Sequence, residues 1–135
     1  MFILYALAIG LFVGWFSGGR LERLARLRIR WAALIAAGLG AQVVLFAEPV
    51  ACHLGELGPP LYVACTTLVV AAVVRNSGIA GMPLVAAGAI ANLSAVLANG
   101  GFMPASQAAL AAAGRVTPTI YSNSVAAQNP ALWPL

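Results

Sequence analysis

Ala91-Asn-Leu-Ser-Ala-Val-Leu-Ala-Asn-Gly-Gly-Phe-Met-Pro104 begins as the last turns of an apolar helix and breaks at Gly100-Gly101. At about 100° per residue, Gly88, Ala91, Asn92, Ala95 and Asn99 share one narrow face. A small, amide-bearing face is how a helix closes on its neighbours where lipid supplies no hydrophobic drive between helices. Gly100 and Gly101 permit positive φ, so Phe102, Met103 and Pro104 are expected to fold back over the helix ends. Two readings of the asparagines stand side by side. Asn92 and Asn99, with Ser94 and Gln42, make interhelical hydrogen bonds worth about 0.6 kcal/mol each. Alternatively, Asn92 and Asn99 line a small polar cavity beneath the glycine break, where irregular backbone must be buried or wet.

The residues around that stretch favour a membrane. Apolar residues make up 62% of the chain and charged ones 7%, against about 45–50% and 25% in a soluble domain. The expected fold is therefore all-α: an integral membrane protein of four short transmembrane helices and a short extracytoplasmic tail with one small helix. The bundle is expected over residues 1–104 and the tail over 105–135. Lysine is absent, and five of the seven arginines fall between Arg20 and Arg30. That clustering bears on topology and anionic headgroups, since no base-reading aromatic or polar group accompanies it. Nucleic acid is not an expected partner.

Four runs carry the spans. Phe2–Ser17 precedes its arginines, the reverse of a cleavable signal peptide, and reads as an uncleaved anchor. Its Ala6, Gly10, Gly14 and Gly18 form a small-residue ridge, open either to close helix approach or to plain glycine tolerance. Arg20, Arg23, Arg26, Arg28 and Arg30, interleaved with Leu21, Leu24 and Leu27, suit an interfacial helix among lipid headgroups, with Glu22 four residues before Arg26. The second span is expected over Trp31–Ala47, with a small face of Ala33, Ala37 and Ala41. A polar loop to Pro60 follows, and then a third span over Leu61–Val74, short unless it starts near Leu57. Arg75-Asn76-Ser77-Gly78 reads as a turn, and the fourth span as Ile79–Ala98. Loops one and three hold six of the seven arginines. The positive-inside rule then places both in the cytoplasm, with the N-terminus and tail outside a bacterial cytoplasmic membrane.

In the tail, Ser106 should cap an alanine-rich helix ended by Gly114. Val116–Leu135 has no clear period and reads as loop. Because the chain closes on apolar Ala131–Leu135, a natural chain is expected to continue into another span. This one would then be a fragment or a short member.

Asn99-Gly-Gly-Phe-Met-Pro104 resembles the Asn-Gly-Gly-x-Met-Pro box of a family of small multi-pass bacterial membrane proteins of unknown function. Gly18-Gly19-Arg20-Leu21-Glu22-Arg23-Leu24-Ala25 resembles that family's basic loop, and Ser106–Gly114 its short capped helix. The resemblance covers most of the chain and implies location and topology. It implies no reaction.

No Asp, Glu, Lys, Arg or His falls in the middle of an expected span. A proton-coupled carrier or an intramembrane hydrolase needs such groups, so no catalytic residues, cofactor or metal are expected. His53 lies near Cys52, Glu48 and Glu56 without a zinc-like spacing. A Cys52–Cys65 bridge is left open. The expected function is a non-catalytic structural or accessory subunit of a larger membrane complex, whose partners are membrane lipids and other subunits or a second copy. The alternative is a small-solute or lipid binding or transport protein. Its packing or ligand face would comprise Gly88, Asn92, Ala95, Asn99, Gly100, Gly101, Met103 and Pro104.

Overall fold

Apolar runs become helices here wherever glycine, proline or asparagine marks their ends. The computed structural model describes residues 2–19, 26–112, 114 and 121–132. It is largely helical: α1 (Phe2–Phe16), α2 (Ala32–Leu45), α3 (Glu48–Leu54), α4 (Gly58–Arg75), α5 (Met82–Ala98) and α6 (Gln107–Ala112). Two three-residue strands, β1 (Met103–Ala105) and β2 (Ser124–Ala126), complete it.

The polar loop expected before Pro60 is mostly helix. Pro49 sits in the first turn of α3 and a proline again opens α4, positions where the missing N–H has no intrahelical partner to lose. Glu48 at the start of α3 favours the same end of the helix dipole. A single 3₁₀ turn, Gly55–Leu57, joins the two helices, with Gly55 at φ 48°. The third apolar run thus gains its first residues from Gly58 onward, reaching 18 residues or about 27 Å. The fourth begins at Met82 instead of Ile79. Gly81 at φ 83° delays it, after a turn closed by Ile79 N–H to the Asn76 carbonyl and Met82 N–H to the Ile79 carbonyl.

α4 is central, packing on α2 on one side and α5 on the other. On α2 the inward residues are Ile35, Gly38, Gln42 and Leu45, and Gly38 sets the approach. A Cβ there would meet Val69 Cγ2 at 2.7 Å and the Cys65 carbonyl oxygen at 3.1 Å. Gln42 Nε2 then reaches across to Thr66 Oγ1 at 3.3 Å. The expected seam of Ala33, Ala37 and Ala41 is exposed instead. Where small apolar residues surround a helix, periodicity lacks the contrast to choose a face. On α5 the inward row is Met82, Ala86, Ala89, Leu93 and Val96.

Of the described stretches, Glu48–Arg75 is long and apolar enough to cross a membrane, by length and composition. Ala32–Leu45 and Met82–Ala98 are shorter apolar helices. Every described side chain of α1 is exposed, and a Cβ on Gly10 or Gly14 would meet nothing within 4 Å. Among the described residues the glycine ridge therefore forms no seam. Arg26–Arg30 is not helical, so the expected interfacial helix does not extend through it. Arg20 and Arg23 lie outside the described residues.

The tail is more ordered than a loop. β1 and β2 pair in parallel, Pro104 opposite Val125. Met103 donates its N–H to the Asn123 carbonyl at 2.6 Å, and Ala127 donates its own to Ala105 at 3.1 Å. In that register the Pro104 nitrogen faces away from β2, so proline costs the ladder no bond. Position 104, the expected end of the bundle, falls inside β1. Ser106 Oγ accepts the Ala109 N–H at 3.1 Å and caps α6, while Gly114 leaves it at φ 73°.

Candidate functional site

The bundle has two distinct ends, and the residues singled out from the sequence divide between them. At one end α5 stops in a glycine reversal. Gly101 donates its N–H to the Val96 carbonyl at 2.8 Å and Gly100 donates to Leu97 at 3.3 Å, the paired bonds that cap a helix through a left-handed residue. Gly100 and Gly101 have φ 68° and 88°. Gly101 backs onto the start of α4, where an added Cβ would lie 2.8 Å from Pro59 Cβ. The reversal brings Met103 against the buried cluster of Leu45, Tyr62 and Val96.

Tyr121 returns over this end from the tail. Its N–H meets the Ala51 carbonyl at 3.3 Å. Its ring stacks on Phe46 at 5.9 Å and tilts against Phe102 at 6.1 Å. A Cβ on Gly58 would overlap that ring, so the absence of a side chain at 58 makes the seat. The Tyr121 hydroxyl is buried without a hydrogen-bond partner among the described residues. Burial, with Tyr62 nearby, pushes its pKa up to about 12.

The asparagine face is only partly assembled. Ala95 is buried, Asn92 and Asn99 are half-buried, and Gly88 is exposed with room for a Cβ. Gly88 is therefore not a packing position among the described residues. The rest of its row is at least half-buried and Ala95 fully so, while the bulkier Leu93 and Val96 fill the seam with α4. Asn99 is engaged rather than open. Its Nδ2 donates to the Ala95 carbonyl at 2.8 Å and the Ala131 carbonyl at 3.1 Å, and its Oδ1 accepts the Ala131 N–H at 3.0 Å. A cleft of about 390 Å³ lies further out, between Pro104–Ser106 and Ala127–Pro130. Its walls carry no charge.

Cys52 and His53 are exposed on α3, with Sγ 3.0 Å from Nδ1, and both cysteines are free thiols. Among the described residues no three His, Cys, Asp or Glu side chains converge.

The opposite end is held by Asn76. Its Oδ1 accepts the Arg30 N–H at 2.7 Å, and its Nδ2 donates to the carbonyls of Arg30 at 2.8 Å and Ala72 at 2.7 Å. Buried to 4% exposure, it fastens the stretch before α2 to the end of α4. In the sequence Asn76 reads as turn punctuation, because nothing local reveals a partner 46 residues away. Tyr121 and Gly58 carry no local signal of their contact either.

Over residues 26–132 the chain matches the model of DUF5317, a family of unknown function. It belongs to that family. No curated protein matches it, and no solved structure does. The DUF5317 match takes in both ends of the bundle, from the Arg30–Asn76 clamp to the Asn99–Ala131 clamp, and begins after α1.

Proposed function

We propose that this DUF5317 protein is a non-catalytic, multi-pass membrane protein acting as a structural or accessory subunit of a larger membrane complex. In this reading α1, α2, α4 and α5 cross the bilayer. The arginine-bearing loops face the cytoplasm, and the N-terminus and tail lie outside. At 14 and 17 residues, α2 and α5 fall short of a full crossing at about 1.5 Å per residue, which local bilayer thinning accommodates.

The observation that carries the reading is the uncovered helix α1. It presents Phe12, Trp15 and Phe16 to the surroundings, together with Gly10 and Gly14, whose backbones lie open. Such a helix is suited to lipid on its bulky side and to another helix on its glycine side. The order of the bundle supports the topology. Arg30 and Arg75 lie at one end, while Glu48, Glu56 and the tail lie at the other, as alternate crossings require.

Mild-detergent capture of the tagged protein from its own membranes, with mass spectrometry of proteins and lipids together, tests this. A stoichiometric protein partner, lost in Gly10→Leu and Gly14→Leu, is the expected result. A lone protein carrying a reproducible small molecule would overturn it in favour of the second reading, a solute- or lipid-binding protein. What favours that reading is Asn92, half-buried on α5 and without a hydrogen-bond partner among the described residues. If Asn92→Ala left the co-purified molecule in place, the asparagine pocket would be excluded.

A further inference from the structure

We propose that the arginine-bearing end of the bundle binds the phosphate of an anionic phospholipid. The site is built from Arg28, Arg30 and Arg75 and is held in shape by Asn76. This inference rests on the membrane reading above and adds a specific lipid class and a residue set to it.

Geometry comes first. The paired hydrogen bonds between the Asn76 amide and both backbone groups of Arg30 bring two stretches together that are 46 residues apart. Arg75 is the neighbour of Asn76, so the backbone at Arg30 and at Arg75 meets at one end of α4, and Arg28, Arg30 and Arg75 are exposed there. The carbonyl end of a helix by itself repels an anion. Here Asn76 Nδ2 takes up the Ala72 carbonyl, and Arg75 reverses the local sign.

Charge points the same way. Glu48 and Glu56 follow α2 to the far end, and none of Arg26, Arg28, Arg30 and Arg75 has an ion-pair partner among the described residues. Guanidinium groups are planar forks that match phosphate oxygens in pairs and are weakly hydrated. Glu22, four residues before Arg26, lies outside the described residues; among the described ones Arg28, Arg30 and Arg75 share one end of the bundle with no carboxylate there, which suits a phosphate rather than an internal salt bridge.

The neighbouring side chains choose the phosphate's carrier. Arg26-Leu27-Arg28-Ile29-Arg30-Trp31 alternates cationic and apolar residues along a non-helical stretch, and Leu27, Ile29 and Trp31 are 44%, 45% and 51% exposed. A soluble phosphate or a nucleic acid has no use for three exposed apolar side chains between its cations. The boundary between headgroups and acyl chains uses both, with guanidinium groups at the phosphates and indole and aliphatic groups just below.

The full chain is reconstituted in nanodiscs of phosphatidylcholine containing a minor share of phosphatidylglycerol. Lipid retained after mild extraction is counted by native mass spectrometry, with an alkaline carbonate wash of the source membranes done first. Wild type is expected to retain phosphatidylglycerol in preference to phosphatidylcholine. Arg75→Gln is expected to reduce that preference about tenfold, one charge-assisted pair's worth, and Arg26→Gln less than about twofold, as for a screened charge outside the site. Asn76→Ala changes no charge, yet is expected to reduce the preference as Arg75→Gln does. Because Asn76 is buried, its variant is compared only if its helical circular dichroism matches wild type, and Arg75→Gln decides otherwise.

Equal losses in Arg26→Gln and Arg75→Gln would reduce the effect to bulk charge and overturn the site. Displacement of the lipid by millimolar inorganic phosphate would overturn the choice of lipid as ligand. Release of the protein by the carbonate wash would overturn the membrane reading and this inference together. A protein that stays in the membrane but retains both lipids alike would overturn this inference alone.

Discussion

Asn99 binds both backbone groups of Ala131, 32 residues away, with one amide: Oδ1 accepts the Ala131 N–H at 3.0 Å and Nδ2 donates to its carbonyl at 3.1 Å. An asparagine at the end of a helix ordinarily satisfies local carbonyls, and Asn99 does this too, at Ala95. The two further bonds make it one fastening of the tail, beside the β1–β2 pair and the seat of Tyr121.

Asn99→Ala is therefore expected to loosen the tail and leave the bundle intact. Two hydrogen bonds contribute about 1–3 kcal/mol together. Hydrogen–deuterium exchange in detergent should speed up across residues 121–132 by tenfold or so, with the amides of α4 unchanged. Faster exchange in α4 instead would mean that Asn99 holds the bundle.

Gly38 and Gly40 lie two residues apart on α2 and should behave oppositely. Gly38→Ala drives a methyl to 2.7 Å from Val69 Cγ2 and 3.1 Å from a backbone carbonyl, and overpacking of this kind costs about 1–3 kcal/mol. Gly40→Ala meets nothing within 4 Å and should gain about 0.5–1 kcal/mol of helix stability. Thermal melts in a single detergent, followed by circular dichroism, distinguish the two. A destabilised Gly40→Ala would show that α2 faces the other way.

The paired glycines after Asn99 also separate. Gly100→Ala is strained by its positive φ alone, by about 1–2 kcal/mol, since nothing lies within 4 Å of its added Cβ. Gly101→Ala bears the same strain and also strikes Pro59. Its melting temperature should fall further than that of Gly100→Ala. Equal shifts would mean that the reversal does not rest on the start of α4.

Tyr121 predicts an alkaline limb in the stability of the tail. An unfolded tyrosine titrates near 10, whereas burial and Tyr62 raise Tyr121 to about 12. Between those values the unfolded chain has lost a proton that the folded chain keeps. Its contribution is thus complete below pH 10 and falls away as pH rises through 12. Tyr121→Phe removes a buried hydroxyl that has no partner among the described residues. It should match or exceed wild-type stability at pH 8 and flatten the limb, as read by melts across pH 8–12 and by tyrosinate absorbance. A variant less stable at pH 8 would reveal a partner for the hydroxyl.

The apolar runs, the cap at Ser106 and the glycine break after Asn99 were legible because each is a local signal. Periodicity failed on α2 and α5 because Ala and Gly occupy every side of those helices, leaving Gly38 and Val96 to be picked out by fit alone. The helix Glu48–Leu54 was missed because Pro49, Cys52 and His53 look like a loop, although a proline in the first turn also starts helices. The parallel pair of β1 and β2 has three residues in each strand and a proline in one, too little for any pattern. Asn76 and Tyr121 act across the chain, where a single sequence carries no mark of contact.

The seat of Tyr121 has a consequence for how the molecule is assembled. Its parts come from the carbonyl of Ala51 on α3, the bare backbone of Gly58 on α4 and the ring of Phe46 after α2. Asn99, which secures the tail's far end, arrives only with α5. A chain made from its N-terminus completes the docking site before it makes the piece that docks. Closure of the tail then reads out whether the earlier helices have met correctly.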